Sequence, residues 1–544
     1  MNTRQLQTDK NQKLYHALLG ILLVCALAMM MLLSYWACKY SYYGAVDGRT
    51  RGVLVGDKTW AHIAVFLAAS LCAMGIDKVL MKKDKSQQEK ICLCTLIVTS
   101  VIAFILGVFY VCKNPYYPVG DQINTTAFAA YCRDGNFSML SIGGYVGMYQ
   151  QQKGLAILYE ILFTLFGDFN YRPAKILHVV WWILTILAGY GFLKLNTDRP
   201  VFRMLYCVMM LGCFPLLFYL PYIYGDVLSI SFGIILFYGV AAYEHSGQKR
   251  YIALASFAAG LAVLARKNTW IVLVAVAVYV LLVSLRKKKV RYLMAGTAIL
   301  LTAALSVKAV DVSYEVRSGY PSGVGIPSIL WVAMGLQETE GRAGVYNRYQ
   351  QATFTDYDCQ QELAAQQGKE YIRERLEEFS QDPGMAFNFF KNKVEGQWIE
   401  PMYAALESTE SFEEGAELSP VLESLYYGEL GRTIWKLTNY YQSILYLAGL
   451  MALVMLGILW WKKKEVPISL WLPWIAVFGG FLFSILWEAK SRYVFPYCVF
   501  MILYAPEGLY QTGLLLCKLP KLRKFKKSGH TQDKGEEASL RETA

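Results

Sequence analysis

Residues 91–112 read ICLCTLIVTSVIAFILGVFYVC, an apolar run without a single charged side chain. At ~1.5 Å of rise per residue, such a run reaches across the ~30 Å hydrocarbon core of a bilayer. Backbone N–H and C=O groups inside that layer have no water to bond, so the run is confined to an α-helix. The pattern recurs. It predicts about twelve spans, at 14–36, 60–81, 91–112, 176–193, 204–220, 224–243, 250–265, 269–285, 292–310, 441–461, 466–487 and 493–517. The fold class expected is therefore an all-α polytopic membrane protein. Composition agrees: 55% of the 544 residues are hydrophobic and 17% are charged, against ~25% charged in soluble domains. The first run, residues 14–38, is too long for a signal-peptide core and reads as a retained span.

The net charge of +12 is bunched into short loops, which suits membrane orientation better than nucleic-acid binding. KKDKSQQEK (82–90), RKKKVR (286–291), WKKKEV (461–466) and KLPKLRKFKK (518–527) all read as cytoplasmic, which puts both termini inside. Residues 113–175 and 311–440, the tip at 220–224, the turn at 266–268 and the stretch 488–492 then fall outside. KGLAILYEILFTLFG (153–167) is apolar, but counting it as a span would put RKKKVR outside. It reads instead as an amphipathic or re-entrant helix on the outer face. The organisation expected is a two-span extension (1–90), a membrane core (91–310) with its outer loop 113–175, an extracytoplasmic domain (311–440), C-terminal spans (441–517) and a basic, polar tail (518–544). Within 311–440 the spacing predicts a helix over 355–383, capped by Thr355 or Asp356 and ended at Asp382-Pro383. A second helix is expected at 385–398, lying on the membrane or on the bundle.

Several chemistries lack their residues. There is no GxxxxGK[ST] loop, no GxGxxG and no GxSxG. The five histidines have no ligand spacing. Of the 12 cysteines only Cys132 and Cys359 sit well inside polar segments, so no disulfide framework is indicated. Asp356-Tyr357-Asp358 has the DxD form of metal-binding transferases, yet it reads as a solvated helix start. The outer face instead collects charges at span ends: Asp121, Lys153, Asp226, Arg266, Lys267, Glu488, Lys490 and Arg492. Each alone fits an interfacial anchor; together they suggest one site. A carboxylate takes a proton from a hydroxyl, while cations hold and neutralise a departing phosphate. Glu488 and Arg492, four apart, share a face if their stretch is helical, and then pair.

With these residues in view, the chain resembles the polyprenyl-phosphate-dependent glycosyltransferases of the GT-C fold, the superfamily of protein mannosyltransferases and lipid A aminoarabinose transferases, in its bacterial form. The resemblance covers most of 91–290 and returns at 485–512. It is carried by Asp121 after a span, by YQQQKGLAILYEILFTLFGDFNYRPAKILH (149–178), by YIYGD and GLAVLARKNTW within 222–282, and by WEAKSRYVFPYCVFMILYAPEGL (487–509). It implies a GT-C bundle with Asp121 as catalytic base and Asp226 orienting acceptor or donor. Lys153, Arg266 or Lys267, and Arg492 would meet the donor phosphate, with Glu488 and Tyr149 beside the acceptor. Three departures stand out: Gln122 follows Asp121 where protein mannosyltransferases carry a second acid, Gly154 follows Lys153 where proline is usual, and two spans precede the Asp-bearing loop. Family metal use is divided, so a divalent metal stays open. The function expected is inverting transfer of a sugar from a polyprenyl-phosphate donor to a wall polymer or lipid-linked glycan, at the outer face of a bacterial plasma membrane and without nucleic acid. The alternatives are a transporter or flippase for lipid-linked glycans and a noncatalytic assembly protein.

Overall fold

The structure is a computed structural model that describes residues 3–43, 53–322, 325–464 and 466–518. Most of the basic stretch 518–527, the tail 528–544, Gly323–Val324 and Glu465 lie outside the described residues. Among those described, nine helices are long and apolar enough to cross a membrane, which marks a multi-pass membrane protein. Side chains such as Ile97, Val101, Ile105, Leu301 and Leu305 are exposed along these helices, as lipid-facing surfaces require. The only strands among the described residues form two small hairpins, Tyr40–Tyr43 with Val53–Gly56 and Glu338–Thr339 with Arg342–Ala343.

Three of the twelve expected spans are not long continuous helices. The 204–220 run is split into Pro200–Gly212 and Phe214–Phe218, with Pro215 in the first turn of the second piece. The 493–517 run is split into Ser491–Met501 and a helix at 505–518, separated by a turn at 502–504. Pro215 and Pro506 each lack the N–H that would continue the preceding helix. The 250–265 run is the helix Lys249–Ala265, 17 residues long. The Lys153–Phe166 helix has 14 residues, about 21 Å of rise, short of a bilayer core. It packs beside Asp121–Arg133 and against Lys249–Ala265.

Asp226–Ser246 is the central helix. Its apolar window is 83% buried, against 28% for Lys85–Lys113 and Val290–Ser318 at the periphery. The chain alternates between two ends of the bundle. One end carries the basic turns: Lys287 pairs with Glu244 at 2.9 Å, Ser469 N donates to Glu244 at 2.9 Å, and Arg286 donates to Val466 O at 2.7 Å. The other end carries the long segment after Val290–Ser318. That segment is bonded to the first hairpin (Tyr42 N to Ile399 O, 3.0 Å), to the 115–117 loop (Tyr117 N to Ser411 O, 2.9 Å) and to the 487–490 loop (Ala489 N to Gly344 O, 2.7 Å).

The helix expected over 355–383 is two. Tyr349–Asp356 ends in a turn where Asp358 and Cys359 have φ of 50° and 59°, and Gln361–Gln381 follows. Thr355 caps nothing; its hydroxyl donates back to Gln351 O at 3.0 Å. Asp382 does cap, accepting from Met385 N at 2.9 Å to open Pro383–Trp398. That helix lies on the bundle at its C-terminal end, where Trp398 Nε1 donates to Ser484 Oγ at 3.0 Å. Cys132 and Cys359 are both free thiols.

Two glycines permit close approaches that fix this architecture. A Cβ on Gly154 would stand 2.6 Å from Leu264 O, which accounts for glycine after Lys153. A Cβ on Gly225 would stand 2.0 Å from Ala265 O and 2.8 Å from Arg266 Cγ. Gly225→Ala is expected to cost about 1–3 kcal/mol through overpacking, read as a lowered apparent melting temperature of the purified protein. Gly56→Ala, where nothing lies within 4 Å of the new carbon, serves as the neutral control.

Candidate functional site

A cavity of about 1740 Å³ opens at the helix ends opposite the basic turns. Its walls come from the Gly120–Asp121 corner, residues 145–152, the 265–271 turn, the 487–493 loop, and parts of 326–351 and 392–407 in the long segment. Elements far apart in sequence thus converge on one space.

Asp121 is the first residue of Asp121–Arg133, and it is exposed to the cavity. Gly120 turns the chain into this helix with φ 58° and ψ −125°, a conformation that favours glycine. Tyr145 OH donates to Asp121 Oδ1 at 2.8 Å. Burial, then the neighbouring Tyr224 phenol and Asp121 carboxylate, push the Tyr145 phenol well above its ordinary range, so it keeps its proton and remains a donor.

Asp226 is buried and is not among the residues lining the cavity. It stands behind the wall and holds two guanidiniums that do line it. Arg266 Nη1 donates to Asp226 Oδ2 at 2.8 Å, and Arg492 Nε lies 3.9 Å from Oδ1. Arg266 lies over the Tyr224 and Tyr493 rings at 5.1 and 5.4 Å. Arg492 lies over Tyr222, Tyr224 and Tyr493 at 5.2 to 5.5 Å, and its Nε has no hydrogen-bond partner. Two cations share one carboxylate, so the cluster presents excess positive charge to the cavity, with Lys267 and Lys490 on the same wall.

Glu488 lines the cavity and accepts from Tyr493 OH at 3.3 Å. Burial raises its pKa, against the pull of Lys490. It does not pair with Arg492: residues 488–490 are non-helical and the helix begins at Ser491, so the four-residue spacing brings no shared face. Lys153 also differs from expectation. It is buried, pairs with Asp311 at 2.7 Å, donates to Ser322 Oγ at 2.8 Å, and is not among the lining residues. Tyr149 lines the cavity beside Tyr145, with ring centroids 5.1 Å apart. Asp356 and Asp358 are exposed and away from the lining.

The long segment contributes ionisable groups that sequence reasoning passed over. Lys393 is 1% exposed, donates to Gly335 O, and burial pushes its amine down to about 7. Glu407 is pushed up to about 7 by burial. Glu400 is pushed up to about 8, against two backbone donors, Met402 N at 2.8 Å and Ala404 N at 2.5 Å. All three line the cavity. KNKVEGQWIEP (391–401) contains two of them, but the local pattern gave no sign that Lys393 is enclosed. Among the described residues, no three His, Cys, Asp or Glu side chains are grouped so as to hold a metal ion. Comparison with protein-family models, curated proteins and solved structures finds no match.

Lys393 has a measurable signature. Between about pH 7 and 10.5 the unfolded chain holds this proton and the folded one does not, so stability rises with pH through that window. The stability of the wild type, followed by its apparent melting temperature, is expected to gain on that of Lys393→Met between pH 7 and pH 9 by up to about 2 kcal/mol. A pH-independent difference between the two proteins would show that the amine titrates normally.

Proposed function

We propose that this protein is an integral membrane glycosyltransferase that moves a sugar from a polyprenyl-phosphate donor to an extracytoplasmic acceptor, a wall polymer or lipid-linked glycan, with inversion. The observation that carries the reading is the single cavity that unites Asp121 with the Arg266 and Arg492 guanidiniums at the ends of membrane helices. Tyr493, which lines that cavity, lies within the electrostatic reach of Asp121, Arg266 and Arg492 at once.

In this reaction the acceptor hydroxyl oxygen bonds to the anomeric carbon as the bond from that carbon to the phosphate oxygen breaks. Asp121 takes the hydroxyl proton. Its other hydrogen bond, from Tyr145, fixes which oxygen faces the acceptor. The electron pair of the broken bond leaves on the polyprenyl phosphate, whose added negative charge is met by Arg266 and Arg492. A guanidinium offers a planar fork suited to phosphate oxygens, and both arginines line the cavity. Asp226 keeps both guanidiniums in place from behind and touches neither substrate. Lys267 and Lys490 extend the positive wall, and Glu488 and Tyr149 border the acceptor. Lys153 braces the outer-loop helix through Asp311. By the charge bias of the short loops, the cavity faces out and the basic turns face the cytoplasm.

Asp121→Asn is expected to lower transfer from a labelled polyprenyl-phosphate hexose by about 10²–10⁴-fold, while the protein remains monodisperse in detergent. A fully active Asp121→Asn protein would remove the assigned base. Orientation has its own check in a cysteine-free background. A cysteine at Glu340, on the cavity, should react with a membrane-impermeant maleimide on intact cells, and one at Lys289, on a basic turn, should not. The opposite labelling would place the cavity on the cytoplasmic side.

A further inference from the structure

One hydrogen-bond donor on the cavity wall has no part in the reaction. Tyr224, in the tip just before Asp226–Ser246, lines the cavity and is 8% exposed. Its ring is shared by two guanidiniums, Arg266 at 5.1 Å and Arg492 at 5.3 Å from the centroid. Its phenol oxygen accepts from Gln152 Nε2 at 2.6 Å. Gln152 is buried as well, closes the turn Gln150–Gln152 and lines the same cavity. A phenol both accepts and donates. Among the described residues the Tyr224 O–H has no acceptor, whereas buried tyrosine hydroxyls usually have one. Burial first, then the Asp121 carboxylate, holds this phenol above its ordinary range, so the proton stays in place to be donated.

The position of this donor selects what it meets. Tyr224 is close enough to Asp121 to feel its charge, and close enough to Tyr145 to affect the phenol that bonds Asp121 at 2.8 Å. Its ring carries the two guanidiniums. Tyr224 therefore joins the neighbourhood of the base to the phosphate-facing wall. In the displacement, the acceptor oxygen, the anomeric carbon and the departing phosphate oxygen lie in line between those two places, and the sugar ring lies beside that line. A hydroxyl on the ring accepts from a phenol and donates onward. An isoprenoid chain offers no acceptor. A phosphate offers one, but beside Asp121 it would bring like charges together, and the guanidiniums hold it at the other end.

We propose that the Tyr224 O–H, fixed from behind by Gln152, donates to a hydroxyl of the sugar being transferred and so selects the donor sugar. This rests on the glycosyltransferase reading and deepens it. Tyr224 then requires a free hydroxyl at one position of the donor ring. Hydrogen bonds to ring hydroxyls strengthen as positive charge develops on the sugar, so the contact serves the reaction as well as recognition.

The test reads binding to the full-length protein in nanodiscs, in the absence of acceptor. The probes are farnesyl-phosphate glucose, galactose, mannose and N-acetylglucosamine, with farnesyl phosphate as the sugar-free control. Phenylalanine at this position keeps the ring beneath both guanidiniums and removes only the O–H. Tyr224→Phe should weaken the best-bound sugar probe by about tenfold and leave farnesyl phosphate unchanged. One monodeoxy form of that sugar probe should bind the wild type and Tyr224→Phe equally. Tyr224→Phe combined with Gln152→Leu removes both partners of the buried bond, and supplies the same comparison if the single variant does not fold. Binding indifferent to the substitution, equal weakening of farnesyl phosphate, or the same loss with every monodeoxy form would each overturn the assignment, as would failure of every sugar probe to bind more tightly than farnesyl phosphate. Transfer by the wild type is measured separately, so a protein that binds the sugar through Tyr224 but transfers nothing refutes the reaction and not the contact.

Discussion

Three charges at the rim of a membrane bundle, two buried and one half-buried, organise this molecule. Asp226 opens the central helix, Arg266 sits in the turn before Trp270–Lys287, and Arg492 begins the helix after the 487–490 loop. Removing such groups from water costs several kcal/mol per ion, and the cost is offset only where the partners meet closely. The three segments are therefore bound to a common point. Tyrosine rings close around the guanidiniums, and Gly225 leaves room for the Arg266 turn to press against the start of the central helix. Deleting one partner leaves an uncompensated charge in a poorly hydrated place. The geometry is thus held by the penalty for breaking it more than by the attraction within it.

The same cluster divides two kinds of work. Asp226 neutralises part of the positive charge from inside, while the remainder faces the cavity. Asp121, on a separate helix and exposed, keeps its own contact with Tyr145. A carboxylate and a cationic wall therefore sit in one space without pairing with each other.

Much of this was legible from residue order. Long apolar runs without charge locate most of the spans, and lysine-rich loops fix the parity that groups Asp121, Asp226, Arg266 and Arg492 on one face. Which of them face the cavity was not legible, because that depends on contacts between residues far apart. Lys153 is matched by Asp311, a residue on another helix, and so is turned to structural use. Glu488 and Arg492 carry helical spacing, but the chain there is extended as it meets the long segment, and spacing has no meaning outside a helix. Pro215 and Pro506 stand inside apolar runs whose hydropathy hides the break. Lys393 reads as an ordinary polar residue, since its burial comes from Gly335 and Gly344 packing over it.

The contact between the long segment and the 487–490 loop deserves a thermodynamic reading. Gly335 lies so close to the end of Leu472–Leu486 that a Cβ there would meet Leu486 O at 2.4 Å. Lys393 grips Gly335 O, and Gly344 O holds Ala489 N, three residues before Arg492. This part of the long segment and the loop that leads into Arg492 are thus parts of one mechanical piece. Any ligand that stiffens the long segment also stiffens the stretch that aims Arg492, and linkage makes the effect mutual between two ligands: each alters the other's affinity by the same factor. Ordered binding of two ligands in this cavity would then need no moving gate, only the shared stiffness of a single loop.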